Sequence, residues 1–543
     1  MSQSEQKTFV KGAAILGLAG ILVKVLGAVF KIPLVSIITS TGMGYYSSAY
    51  PIYVMLLAVA TSGFPIAISK MVAERRAKGN VKGANRIFRT ILPFMAVLGL
   101  VTSLGLFLFS EFVAEKMLHN PKAVHSLRAL SVALFFVPIM SSYRGFFQGR
   151  NNMLPSALSQ IAEQIGRVAI GLTLAALMVK RGLEYGAAGA SMGATVGAVF
   201  GTLTVVLLYR REGQRMKEEN LISAPGEREG SSQVIRELLS IAIPIIIGAL
   251  VKPIMDLIDA NMVIELLMKN GMSETQANSN LGQLSGMATT MVNLPSIVIS
   301  AIAMSVVPVI SYEYFQGGME KARKNAVLAI RFAILIGLPA GIGLMSLSEP
   351  IMSLLFPKEA SAAPGQILFI AAAGVVFLSL IQVLTAILQA IGKVYVPVFN
   401  LGIGVVLKIA LTYVLTSNPQ LGVKGAAIGT LVAYIVAAVL DFIAVKKLLR
   451  ISFNFSEIIL RPLVISVTMG LIAFSVQYAG RIVLVDNLGI SSGAKLSTLI
   501  AMSVAGVFFV LMLFKAKVVT EEDLNSMGKG KRIVAVLKRL HLL

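Results

Sequence analysis

Two lysines, Lys24 and Lys31, lie inside an apolar run that otherwise reads as built for lipid, GAAILGLAGILVKVLGAVFKIPLVSIIT from Gly12 to Thr39. The run is long enough to cross a hydrocarbon layer of about 30 Å, and Lys24 falls near its middle. Seven residues make two helical turns, so the ammonium groups share one face roughly 10 Å apart and cannot both reach the same interface. A charge at mid-membrane is costly unless it meets water or a counter-ion. Neither lysine has a carboxylate within its own span, so the pair points to an internal cavity holding something anionic. A carboxylate on another helix is the plainer explanation.

The other ionisable residues inside apolar runs are Glu163 and Arg167 in the fifth span, Lys252, Asp256 and Asp259 in the seventh, Lys408 in the eleventh and Asp441 in the twelfth. Together with Arg144 of the SYRGFFQGRNN segment, they divide by sign. Lys24, Lys31, Arg144, Arg167, Lys252 and Lys408 are candidates to line a substrate cavity, and Glu163, Asp256, Asp259 and Asp441 are candidates for ion coupling or ion pairing. Glu163 with Arg167, and Lys252 with Asp256, are four apart and suit an ion pair on one helix face. Tyr45, Tyr46, Tyr50 and Tyr53 fall at the outer end of the second span, where interfacial anchoring accounts for them.

These residues must be carried by helices in a membrane. The chain has 543 residues, 56% hydrophobic and 14% charged, with a mean hydropathy of +0.81, which is too apolar for soluble domains. Its apolar runs define fourteen spans, near 11–38, 46–70, 88–112, 124–147, 155–180, 186–210, 236–264, 283–312, 325–348, 364–390, 395–416, 422–446, 457–480 and 494–515. The first is too long for a signal-peptide core and reads as a retained helix. The fold expected is therefore an all-α polytopic membrane protein with 14 transmembrane helices, arranged as two pseudo-symmetric six-helix lobes plus two C-terminal helices.

The net charge of +22 would suggest nucleic acid in a soluble protein, but here it sorts by position. The N-terminal arm, the loop KMVAERRAKGNVKGANRIFR, the linker after Tyr209, EKARKN, KKLLR and the tail all fall on one side and carry most of the Lys and Arg. The positive-inside rule then places both termini in the cytoplasm of a cell whose plasma membrane holds the chain. The organisation follows: an N-lobe over 1–210, a linker over 211–235, a C-lobe over 236–450, two further spans over 451–517, and a tail over 518–543. In the tail, basic and apolar residues interleave as in a helix lying on an anionic leaflet.

The lobes read as copies. FFQGRNNMLP followed by GAAGASMG matches ILQAIGKVYVP followed by GVKGAAIG, pairing Gly186, Gly189 and Gly193 with Gly422, Gly425 and Gly429. LGAVFKIP matches IGALVKP, pairing Lys31 with Lys252, and the proline register pairs Arg167 with Lys408. Six spans return the chain to the same side, so the pseudo-twofold axis lies along the membrane normal, and the glycine-rich starts of the sixth and twelfth spans permit close helix approach.

Enzyme chemistry has no foothold here. With no cysteine there are no thiolate sites, His119, His125 and His541 lack metal-like spacing and read as solvated surface, and no loop carries an acid cluster. No cofactor, metal or nucleic-acid partner is expected.

Fourteen spans as six plus six plus two, the VKVLG–KIP segment and SYRGFFQGRNNMLPSALSQIAEQIGR together resemble the multidrug/oligosaccharidyl-lipid/polysaccharide exporter superfamily. Within it the chain is similar to the MurJ-type lipid II flippases and their polysaccharide-exporter relatives in Gram-positive bacteria. The resemblance implies two lobes in alternating access, a groove for a polyprenyl tail at spans 13 and 14, and a lipid-linked oligosaccharide as substrate. Cell-wall synthesis enzymes are the implied partners, and membrane potential or a monovalent cation the implied energy source. Of the family's two first-helix arginines, Lys24 stands at the first position and Phe30 at the second, with Lys31 one residue on. Lysine keeps charge and loses bidentate phosphate recognition. A different polyprenyl-linked precursor and a cation-coupled multidrug exporter are the competing cargoes.

Overall fold

The computed structural model describes residues 3–221, 230–359, 362–451 and 455–516, and every regular element among them is helical. The expected tail helix, His541 and linker residues 222–229 lie outside the described residues. Helix α1 (Gln3–Ala58) takes in the first expected span and much of the second, with a break at Thr39, where φ 61° and ψ 176° leave helical space. The sequence leaves 39–45 as a connection, whereas the chain re-enters helix after one residue. Its small residues, Gly42, Gly44, Ser47 and Ser48, let a helix pack there without bulk. A π-turn at Val59–Gly63 then leads into α2 (Phe64–Ala77).

There follow α3 (Val81–Leu108), α4 (Val124–Gly149), α5 (Leu154–Met178), α6 (Leu183–Arg211), α7 (Ser231–Lys269) and α8 (Glu274–Leu281). The later helices are α9 (Thr289–Phe315), α10 (Met319–Ser346), α11 (Ala362–Ala372), α12 (Val375–Ala390), α13 (Tyr395–Thr416) and α14 (Val423–Leu449). The last are α15 (Arg461–Leu488) and α16 (Ile490–Lys515). Among the described residues thirteen segments are long and apolar enough to cross a membrane, and one of them, Ile15–Ala77 at 63 residues, is twice the length of a span and holds two. Fourteen spans result.

The chain forms two compact units, Met1–Gly286 with Thr416–Val423, and Met287–Leu415 with Lys424–Leu543. The first reaches past the linker to include α7 and α8. In its core Phe88 of α3, Tyr143 and Phe146 of α4 and Tyr209 of α6 interlock with ring centroids 4.5 to 5.8 Å apart. Helices α5 and α6 approach closely because Gly193 has no side chain: a Cβ there would lie 2.5 Å from the carbonyl oxygen of Arg167. Gly63 of the π-turn lies against the backbone of Ala242, which lets α7 cross close to the second span.

Helix α7 is fastened at its linker end by ions. Arg75 forks both guanidinium nitrogens onto the Glu237 carboxylate, at 2.8 and 2.5 Å. Beside it, Glu219 of the short helix Gly213–Leu221 accepts from Arg76 at 2.9 Å and Arg150 at 3.2 Å. Beyond the other end of α7 a set of neutral contacts joins α1, the loop at Asn120 and α8. Asn120 Nδ2 donates to Ser48 Oγ at 2.8 Å and to Asn278 Oδ1 at 2.7 Å, and the Ser40 and Ser279 hydroxyls are 2.8 Å apart. Gly282 lies directly against the Ser40 carbonyl, an approach that a side chain would block.

In the second unit α9, α10 and α12 bury Ile299, Ile330, Leu384 and Ile387 together, and Leu335 of α10 packs with Ile465 of α15. The packing of α14 on α13 repeats the glycine device of the first unit. A Cβ on Gly429 would lie 2.8 Å from Thr412 Oγ1 and 3.5 Å from the Lys408 carbonyl oxygen.

Candidate functional site

The α1 face that carries Lys24 and Lys31 also carries Gly27, three residues after the first and four before the second. Lys24 is exposed on its unit and Lys31 is half-buried. Lys31 feels the charges of Asp256 and Lys252 on α7 and of Arg167 on α5. Three helices of the first unit thus bring three cations and one carboxylate into a single electrostatic neighbourhood. Lys252 and Asp256 form the pair their spacing allows, at 3.7 Å, with both side chains about half exposed. Asp259, one turn on, is buried.

On α5 the expected pairing is corrected. Glu163 does not take its own-helix neighbour as its partner but accepts from Arg144 Nη2 of α4 at 2.8 Å, while Arg144 Nε donates to Ser159 Oγ at 2.7 Å. The reason lies in the hairpin. The turn at Asn151 and Asn152 folds α4 against α5, so residues equidistant from it meet, as Gln148 also meets Ser156 at 3.2 Å. That register was readable from the turn in RGFFQGRNNMLP and outweighs i,i+4 spacing.

Arg167 is turned instead to the tyrosines of the second span. Its Nη2 donates to Tyr50 Oη at 2.7 Å, and its guanidinium carbon stands 5.2 Å from the centre of the Tyr50 ring. Tyr46 stacks on Tyr50 at 5.2 Å with the planes 19° apart, and Tyr53 stands 5.8 Å from Tyr50. Interfacial anchoring is therefore overturned for this group. Tyr46 and Tyr53 are 3% and 2% exposed, and Tyr50 between them holds a half-buried guanidinium. A polar group at such depth needs partners, and only folding could show that phenols supply them.

Sequence reasoning also missed Gln164, one turn before Arg167. It is 6% exposed, its Nε2 has no hydrogen-bond partner among the described residues, and it lies against Gly27. Its neighbours in sequence, Glu163 and Arg167, drew attention by charge; a neutral amide gave no such signal.

In the second unit Lys408 and Asp441 are each 1% exposed. Asp441 accepts from Asn400 Nδ2 at 2.8 Å, so its carboxylate is satisfied within the packing of α13 and α14. Outside these spans, His119 approaches Asn261 Oδ1 at 3.3 Å and His125 lies 4.7 Å from the Tyr185 ring. No group of three or more His, Cys, Asp or Glu that could hold a metal occurs among the described residues.

Spanning helices throughout, with ionisable groups carried inside them on facing helices, define a multi-pass helical membrane protein. The chain belongs to the polysaccharide biosynthesis protein family, whose model matches residues 9–312, and a MatE model matches residues 244–414. It is 28% identical to stage V sporulation protein B of Bacillus subtilis (strain 168) over 515 residues, covering 94% of this chain and 96% of that one. It is also 28% identical to the lipid II flippase MurJ of the same organism over 487 residues, covering 86% and 88%. A solved structure of the lipid II flippase MurJ in an inward closed conformation superposes with a TM-score of 0.67 at 14% identity, covering 92% of this chain and 99% of that one. The fold expected from the sequence is the fold found.

Proposed function

We propose that the protein is a flippase that carries a polyprenyl-diphosphate-linked saccharide, lipid II, from the cytoplasmic to the outer leaflet by alternating access. The observation that carries this reading is that α1, with Lys24 and Lys31 on one face, packs on α5 and α7, which carry Arg167 and Lys252, and that these charges act on Lys31. A diphosphate is multiply anionic, and cations in a low-dielectric setting favour it while its hydrocarbon chain stays in lipid. Reorientation requires two arrangements of similar energy, biased by ligand, cation or potential, and the potential supplies about 2.3 kcal/mol per charge per 100 mV. Basic loops place the termini in the cytoplasm in this reading. Glu163, Asp256 and Asp259 are the carboxylates available for a coupling cation in the first unit, and Asp441 in the second. Transport that survives their combined neutralisation removes that role.

The test is an accessibility assay for labelled lipid II in proteoliposomes. Lys24→Ala and Lys31→Ala are expected to slow its exposure on the far leaflet, and wild-type rates in both would remove them from the mechanism. A second cargo is favoured by one observation. Lysine stands where the resemblance calls for arginine, and the sporulation relative is as similar as the flippase, so another polyprenyl-linked precursor is the alternative substrate. Build-up of cell-wall precursor on depletion, with no change in drug resistance, separates both from multidrug export.

A further inference from the structure

We infer that Tyr50 and Gln164 are specificity-determining residues of this site: two neutral donors that, beside Lys31 and Arg167, select a diphosphate over a monophosphate. The inference rests on the flippase reading and deepens it. Arg167 Nη2 donates to Tyr50 Oη at 2.7 Å, so the phenol oxygen is an acceptor toward the guanidinium and its own O–H is left to donate elsewhere. Accepting from a cation polarises that hydroxyl and makes it a stronger donor. The ring is fixed for the task, stacked on Tyr46 and flanked by Tyr53, and of the three Tyr50 is the one that keeps accessible surface.

Gln164 supplies the second observation. A buried N–H is almost always paired, yet its Nε2 has no partner among the described residues and lies against Gly27, on the α1 face between Lys24 and Lys31. The groups that α1, α5 and the second span bring to this region, the Lys31 ammonium, the Arg167 guanidinium, the Tyr50 O–H and the Gln164 N–H, are donors, with Asp256 the acidic neighbour of Lys31. Their complement is a ligand made of acceptors, with more oxygens than one phosphate presents to several directions. Either cation alone would attract any anion; the neutral donors add the geometry that discriminates among them, because a site built to hydrogen-bond a group rejects a ligand that leaves its donors unpaired.

The experiment uses the full chain in detergent, with farnesyl diphosphate, farnesyl monophosphate and inorganic pyrophosphate as probes, and reads affinities beside the thermal unfolding midpoint. Wild type is expected to prefer the lipid diphosphate. Tyr50→Phe keeps the ring and is expected to lose about tenfold for the diphosphate and less than threefold for the monophosphate, so the preference narrows. Gln164→Leu removes the lone amide, is expected to unfold no earlier than wild type, and to narrow the preference in the same direction; it decides the matter if Tyr50→Phe does not fold. Pyrophosphate is expected to compete, less tightly in Tyr50→Phe, which places recognition in the headgroup. Unchanged preference in the folded variants, or equal losses for both lipids, overturns the inference and leaves the flippase reading standing. A wild type that binds neither lipid probe overturns both.

Discussion

Arg167, twelve residues after Pro155, and Lys408, eleven after Pro397, fall one position apart in the repeat register, and each lies beside a glycine of the next span, Gly193 in one case and Gly429 in the other. Their surroundings differ. Arg167 is half-buried, held by the Tyr50 phenol, and its charge acts on Lys31, whereas Lys408 is 1% exposed within helix packing. The repeat has kept the backbone contact and changed what the side chain meets. The accessible cations of the candidate site lie in the first unit, whereas Lys408 and Asp441 of the second are sealed within helix packing, Asp441 against Asn400.

The sharpest way to break this contrast is to remove the accessible cations. Lys31→Ala with Arg167→Ala is expected to lower lipid II exposure in proteoliposomes by on the order of 100-fold, from two lost charge-assisted contacts, while Lys31→Ala alone leaves the unfolding temperature near wild type. Lys408→Met is expected to do the reverse. It costs about 1–3 kcal/mol by taking a buried amino group from its surroundings, read as a lower unfolding midpoint, with transport per folded molecule near wild type. A Lys408→Met protein that is stable and inactive would erase the distinction.

Smaller effects refine it. Gly193→Ala is expected to cost about 1–3 kcal/mol because the new methyl meets backbone, and Gly429→Ala less than about 1 kcal/mol because it meets chiefly the Thr412 hydroxyl, which can rotate away. The unfolding midpoints of the two variants should differ in that order. The least change is expected from Asp256→Asn. Its half-exposed pair with Lys252 is worth only about 0.3–0.5 kcal/mol, so stability should hold. Because Asp256 is the one negative group among those acting on Lys31, diphosphate affinity should rise a few-fold in a binding titration.

The spans were legible because membrane crossing is written in length and hydropathy, and the repeat because prolines and glycines recur at fixed offsets. The Lys252–Asp256 pair was legible because both partners lie on one helix, where spacing suffices. Glu163 was misread for the complementary reason: its partner comes from α4, and only the hairpin register identifies it. The tyrosines were misread because amphipathic rings near a span's end suit an interface equally well, and nothing local says that Thr39 lets the chain turn back into helix and carry Tyr46 and Tyr50 to Arg167. Gln164 carries no charge and interrupts no pattern, so its lone donor becomes visible only when every neighbour is in place.

The fastenings of α7 carry one more consequence. Its linker end depends on guanidinium–carboxylate forks, whereas the seal beyond its far end depends on amides, hydroxyls and a backbone approach at Gly282. Dissolved salt weakens the former and barely touches the latter. Raising ionic strength should therefore loosen the ionic fastening at one tip before anything at the other, with Val234 and Leu238 still anchoring the rod in the core.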